Sequence, residues 1–299
     1  MIAPVRMAVG ERRRDQPARE GSRYGHGVAS NLACVGLAVA DVDELQSLVS
    51  RVVLFAERIG KVDGIDVMRW EDPSGARLVL GLSRDDVPDL LPSFSARPSA
   101  RLAAIEYVSP EVANAAVVDD EGEQVTALAI EFEERRLLRK PPAVTDGIAG
   151  VTALGVAVEV FANEAAFAGS PASLVDPDRE ADEPPAHYVE RGLKWPPRMA
   201  AESFISYGVF EQGSPSAHAR LAGTVLEADV RTVELTGQRF VHALVRTIGF
   251  DAHVCFPAGD GDVAPSPGAI LGGTVFLVGA MARPPASERS RRRWFGRSP

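Results

Sequence analysis

The sequence predicts an α+β protein in which strands dominate and the C-terminal part closes into a compact β-barrel. Three observations lead there. Short runs of β-branched and aliphatic residues recur along the chain, bounded by Gly, Pro and Asp. One well-signalled amphipathic helix interrupts them, opening near Asp41. The stretch from Gly223 to Gly279 then reads as a hairpin, a third strand and a closing strand, with almost no catalytic chemistry on it.

Taken in order, residues 1–29 mix Arg, Gly, Ser and Pro without periodicity, and a disordered basic arm is expected. The apolar run 31–39 predicts a first strand. Asp41 stands as an N-cap with Glu44 three residues on, a capping-box spacing. Leu45, Leu48, Val49, Val52, Val53 and Ala56 then recur at helical intervals and carry the helix to near Gly60. Residues 65–70 and 76–82 form a hairpin across Asp72-Pro-Ser-Gly75, with Pro and Gly where a tight turn needs them. Strands follow at 101–108, 112–118 and 124–132. A charged segment, Glu133 to Lys140, leads to a boundary between Pro141 and Gly150.

Residues 151–161 predict another strand, and Asn163 caps a short helix at 164–168. The acidic, Pro-rich stretch 176–185 is a loop. Prolines around Lys194-Trp-Pro-Pro-Arg198 forbid a regular helix there, and Pro184-Pro185 before His187 with Gly192 after it leave little room for one upstream. A strand at 203–210 feeds the barrel, whose strands are placed at 223–232, 238–247, 252–257 and 272–279. The domains expected are a disordered basic arm at 1–29, an α+β domain at 31–140, a connector at 151–210, a barrel at 219–281 and a disordered basic tail at 282–299. Gly36-Leu-Ala-Val39 and Gly155-Val-Ala-Val158, each followed by a capped helix, raise the possibility of a duplicated unit.

The bulk numbers bound the class. At 299 residues the chain can bury two cores of ordinary size. An apolar content of 45% with 24% charged residues is that of a soluble globular protein. The Ala-, Val-, Gly-, Arg- and Asp-rich vocabulary resembles that of high-GC genomes, actinobacterial ones among them. The net charge is −9; the first thirty residues contribute +3 and residues 282–299 contribute +5, leaving −17 on residues 31–281. So acidic a body repels nucleic acid, because phosphate neutralisation supplies most non-specific affinity. Only two cysteines occur, Cys34 and Cys255, each in an apolar run, so buried free thiols in a reducing cytoplasm are expected. No apolar run approaches the roughly 20 residues a bilayer requires, and no signal peptide is expected.

Cys34-Val-Gly-Leu-Ala-Val-Ala-Asp-Val-Asp43 and Trp70-Glu-Asp-Pro-Ser-Gly-Ala-Arg-Leu78 carry a resemblance to one module of the vicinal-oxygen-chelate superfamily, the glyoxalase and bleomycin-resistance proteins. It covers residues 32–83. The resemblance implies a strand, capped helix and hairpin around a metal held by His and Glu. At the position where the family commonly places its first metal-binding histidine this chain has Cys34, and no histidine lies between Gly27 and Ala186, so a metal-free relative is implied. Residues 219–280 resemble an OB-fold, a barrel that often binds oligonucleotides or oligosaccharides. Phe240, Phe250, Phe256 and Phe276 sit among aliphatic residues, which favours core over a stacking platform.

No Gly-rich phosphate loop and no Gly-x-Ser-x-Gly elbow occurs. His242 and His253 fall on neighbouring expected strands, where surface positions are the ordinary reading and a metal pair with Asp251 the alternative. The residues singled out for binding are Trp195, Arg198 and Tyr188, a rigid aromatic cluster of the type that anchors interfaces, and Trp70 and Cys34 for a pocket in the N-terminal half. These point to a non-enzymatic cytoplasmic binding or scaffold protein acting through protein contacts or self-association, without metal or cofactor. The alternatives are a metal-independent small-molecule binder or enzyme, and a nucleic-acid binder through the barrel and basic tails.

Overall fold

Among the described residues, thirteen strands form two sheets in a computed structural model that covers residues 30–84, 86–176, 182–209, 215–259 and 261–282. The expected basic arm, and the basic tail beyond Ala282, lie outside these residues. The smaller sheet has the order β1(Glu57–Val62), β2(Ile65–Glu71), β3(Ala76–Leu82), β4(Asp89–Phe94), all antiparallel. The larger holds β5(Pro98–Tyr107), β6(Val112–Val118), β7(Gln124–Phe132), β8(Gly147–Phe161), β9(Ser203–Ser206), β10(His218–Thr232), β11(Arg239–Thr247), β12(Phe250–Pro257) and β13(Ile270–Met281). The chain is therefore α+β with strands in the majority.

The larger sheet closes on itself twice. β5–β6–β7 and β10–β11–β12 are antiparallel meanders. The first strand of each pairs antiparallel with the last strand of its own unit, β5 with β8 and β10 with β13. The third strand pairs parallel with the last strand of the other unit, β7 with β13 and β12 with β8. β8 and β13 lie antiparallel between them. Apart from β9, which pairs with β10 and has no counterpart on β5, the pairing scheme is unchanged when β5–β8 and β10–β13 are exchanged. The echo read between 36–39 and 155–158 is a different one, and it joins a turn to a strand. The expected divisions at residues 140 and 219 fall within this one sheet.

Period-two alternation sorts the side chains. Val151, Ala153, Val275 and Leu277 face a core shared with Leu102, Leu128, Ile130, Leu221, Val245 and Val254. Their neighbours Leu154, Phe276 and Val278 face outward, onto Trp70, Leu78, Leu80 and Phe94 of the small sheet. Helix α1(Val42–Val53) adds Leu48, Val49 and Val52 to that second core. Asp41 caps the helix as expected, accepting from Glu44 N at 2.9 Å, while Glu44 Oε2 accepts from Ala40 N at 2.7 Å.

Four local expectations need correction. Residues 31–39 form no strand: Ala33–Val35 is a single 3-10 turn that ends at Gly36, φ +69°. Cys34, Val35 and Leu37 are all buried, so the run plugs the core instead of alternating. Its backbone is satisfied by side chains of the β10–β11 turn, with Thr236 Oγ1 donating to Gly36 O at 2.7 Å and Gln238 bracketing Ala38 at 2.7 and 2.9 Å. The first strand expected from the vicinal-oxygen-chelate resemblance is thus absent, while the helix α1 and the β2–β3 hairpin are present. Second, α1 stops at Val53 and the residues before Gly60 belong to edge strand β1, because Gly60 packs its bare backbone against Leu137. Third, Ala186–Glu190 does make one helical turn, its first N–H groups being orphans that Pro185 need not supply. Fourth, β4 arises in a stretch left unassigned.

Candidate functional site

The short helix α2(Arg135–Leu138) follows β7 and lays Leu137 and Leu138 beside Ile59 of β1. Opposite stand the start of β8, with Gly147 and Ile148, and the end of β13, with Met281. A cavity of about 630 Å³ lies between these four elements. Its wall is apolar apart from two carboxyls, Glu134 within it and Asp146 at its exposed side.

Glu134 is held by its neighbours. Its Oε2 accepts from Met281 N at 3.4 Å, and Arg69 Nη1 lies 3.7 Å from Oε1. Burial pushes its carboxyl up to about 7, and the adjacent Glu133 carboxylate pushes the same way, against the pull of Met281 N–H and Arg69. A carboxyl poised near neutrality in an apolar cavity is a feature of binding and catalytic sites. Glu133 itself is fully enclosed. It accepts from Arg69 at 3.1 Å, Arg77 at 3.3 Å and Ser93 Oγ at 2.7 Å, and so ties the small sheet to the end of β7. Asp89 adds ion pairs to Arg135 and Arg136. α2 and its Glu134 are therefore positioned from two sides.

A second cluster lies where the two sheets meet. His242 and His253 are each 3% exposed, so the surface reading of these histidines is corrected. The backbone N–H of Arg97 donates to His253 Nε2 at 3.1 Å. In a neutral ring the proton then sits on Nδ1, which donates to His242 Nε2 at 2.9 Å. His242 in turn donates from Nδ1 to Asp229 Oδ1 at 3.0 Å. Phe94 stacks on His242 with centroids 4.5 Å apart. Burial depresses both histidines, His253 to about 3 with help from His242 and nearby Arg97 and Arg231. Asp229, not Asp251, is the acid partner. Every ring nitrogen is used within the protein, so this chain fixes the strand packing and leaves no coordinating nitrogen open.

The residues singled out in sequence separate into two places. Tyr188 and Trp195 meet edge to face at 4.9 Å, and Trp195 Nε1 donates to Asp182 O at 2.9 Å. Arg198 turns inward as a clamp, donating to Ser170 O at 2.7 Å and Ser173 Oγ at 2.6 Å. Trp70 and Cys34 are core residues at 5% and 0% exposure, and Cys34 donates to Gly155 O at 3.4 Å. Burial pushes the Cys34 thiol up to about 12, which makes it inert. Glu134, Leu137, Ile148 and Met281 were not singled out. The signal available was Leu137-Leu138 inside the charged segment 133–140, an apolar pair with no place on a solvated loop.

Comparison with family models, with curated proteins and with solved structures returned no match.

Proposed function

We propose that this protein binds a small, largely apolar molecule in the cavity between β1, α2 and the paired ends of β8 and β13, with Glu134 as its polar anchor, and that it does so without chemistry. The observation that carries this is the combination of about 630 Å³ of apolar space with one carboxyl raised to about 7. Ligand sites are typically 300–1,000 Å³, mostly apolar, with few orienting polar groups. A ligand that brings an amine gains most, since a cation beside a desolvated carboxyl restores its ionised form. Among the described residues, no nucleophile stands beside a base at this wall, which supports binding over catalysis. The closed circuit β10–β11–β12–β8–β13 has the strand number of an OB-fold with its fifth strand supplied from upstream, and we read it as one; binding at a barrel end fits that parentage.

Thermal unfolding with a panel of apolar amines, alcohols and carboxylates tests the proposal. A ligand at 100 times its Kd adds about 2.7 kcal/mol, and roughly 2–4 °C in Tm per kcal/mol follows for a chain of this size. Apolar amines should shift Tm most, and Glu134→Gln should remove the preference for amines over alcohols. Equal shifts in the Glu134→Gln protein, or none from any member, would sink it.

A second reading attaches to Tyr188 and Trp195. Val189 and Leu193 beside them are 66% and 51% exposed, an apolar surface next to two aromatic rings. Such a group anchors a protein partner or a second copy of the chain. Trp195→Ala should weaken self-association in sedimentation velocity by at least tenfold while leaving the circular dichroism spectrum unchanged; unaltered sedimentation would end this reading.

A further inference from the structure

The small sheet carries a charged face of its own. Asp63-Gly64 joins β1 to β2 as a two-residue hairpin, with both residues at positive φ as a type I′ turn requires. The register that follows sets Lys61 opposite Asp66 and Arg58 opposite Met68. Asp66 in turn stands opposite Leu82 of β3. Directly opposed residues share a face, so Lys61, Asp66 and Leu82 form one row, and Arg58 and Met68 belong to the next. The chain leaves β3 past Leu82 and brings Arg84 to the same place.

These six residues line a depression of about 770 Å³, in which Met68 and Leu82 supply the apolar part. Asp66 holds Arg58 Nη1 and Lys61 Nζ, each at 3.3 Å. Both cations keep further N–H donors, because one contact uses only part of a guanidinium or an ammonium. Arg84 pairs with no acid among the described residues. Three cations around one carboxylate leave a surplus of two positive charges, on a body that carries −17 over residues 31–281. Cations gathered in one depression repel one another, and a compact anion turns that repulsion into attraction. The depression is separate from the Glu134 cavity. Ile59, the bulged residue of β1, lines that cavity, whereas Arg58 and Lys61 on either side of it line this one.

We infer that this depression binds an organic phosphate monoester, with the phosphate between Arg58, Lys61 and Arg84 and the organic group on Met68 and Leu82. A phosphate monoester carries about −1.5 to −2 at neutral pH, which matches the surplus. Its oxygens accept from donors arriving from several directions, as they do here from β1 and from the end of β3, and guanidinium forks fit them. A dicarboxylate spreads the same charge over two centres and fits the convergence less well. The amines proposed for the Glu134 cavity are repelled here, so β1 stands between two sites of opposite preference.

Isothermal titration calorimetry with phenyl phosphate, inorganic phosphate and isophthalate tests the site. Phenyl phosphate should bind saturably, and the other two several-fold more weakly. Arg84→Glu and Lys61→Glu should each weaken phenyl phosphate by roughly tenfold or more, since each reversal replaces attraction by repulsion. Both side chains are exposed, and an unchanged circular dichroism spectrum checks the fold. No binding of phenyl phosphate, binding indifferent to both reversals, or inorganic phosphate or isophthalate bound as tightly, overturns the inference. Glu134→Gln should leave phenyl phosphate binding unchanged; a loss there would put the phosphate in the other cavity and overturn it too. A lipid headgroup and a soluble ester share this chemistry, and phosphatidylcholine vesicles carrying phosphatidic acid tell them apart. Co-sedimentation that Arg84→Glu abolishes marks the lipid, and its absence beside phenyl phosphate binding marks the soluble ester.

Discussion

At the scale of single residues, two buried acids do work that their local sequence does not advertise. Asp72 opens the Asp-Pro-Ser-Gly turn and accepts from Ser74 N at 2.9 Å, as turn chemistry dictates. It also accepts from the backbone of Glu234 at 3.1 Å and Leu235 at 3.4 Å, so the turn of one sheet caps the turn of the other. Asp72 is 4% exposed, and removing it strands those N–H groups. Asp72→Ala should lower stability by about 1.5–3 kcal/mol, the worth of hydrogen bonds to a charged group, read from the urea midpoint. A midpoint within error of the parent would show that water replaces the carboxylate. Glu133 is the second, enclosed between Arg69, Arg77 and Ser93. The sequence showed an acid in a charged run, and nothing in it placed three partners from β2, β3 and β4 around that acid.

At the scale of elements, the strands β2, β3, β6, β7 and β11 were legible because each carries its own alternation or turn signal. α1 was legible because Asp41 and Glu44 announce its start. The run 31–39 misled for a physical reason: its apolar residues match strand vocabulary, but Gly36 turns the chain, whose N–H groups bond back to Ser30, Leu32 and Ala33 while Thr236 and Gln238 side chains bond Gly36 and Ala38. β8 and β13 are longer than their apolar cores because each serves two circuits. They are joined across a register shift at Thr274 and Val275, where Gly273 adopts φ +148° and an added Cβ would collide with the carbonyl oxygen of Ala157. Gly273→Ala therefore meets both strain and backbone, and about 1–3 kcal/mol of destabilisation is expected. Chemical denaturation measures it; an unchanged midpoint would mean the shift can slide.

At the scale of the whole molecule, the titrating groups pull in opposite directions. His242 and His253 have folded values below the unfolded 6.5, so the unfolded chain takes up protons first as pH falls. The contribution of His253 is complete above about 6.5 and is lost as pH falls toward about 3, at up to about 1.4 kcal/mol per pH unit, and His242 acts in the same direction. Glu134 is raised to about 7, so its contribution is complete below the unfolded 4.5 and is lost as pH rises through 7. In the Glu134→Gln protein, where the opposing carboxyl is removed, urea midpoints should fall between pH 7 and 5, and adding His253→Gln should flatten that slope. A slope unchanged by His253→Gln would show that the pair does not stay neutral. The Glu134→Gln protein should gain relative stability at pH 8, where the parent must hold a buried charge.

The sequence alone determined the strand-rich α+β class, the acidic body, the buried thiols, the cap of α1 and the turns of the hairpins, because each is set by residues within a few positions of one another or by simple counts. The tertiary structure alone decided the two interlocked circuits, the histidine chain running to Asp229 and the cavity at Glu134. The circuits and the cavity depend on which strands exchange partners across more than a hundred residues, whereas the histidine chain depends on the register of the β10–β11–β12 meander. The parallel pairings of β7 with β13 and β12 with β8 leave no local pattern, since any apolar strand with the right alternation would satisfy the same ladder.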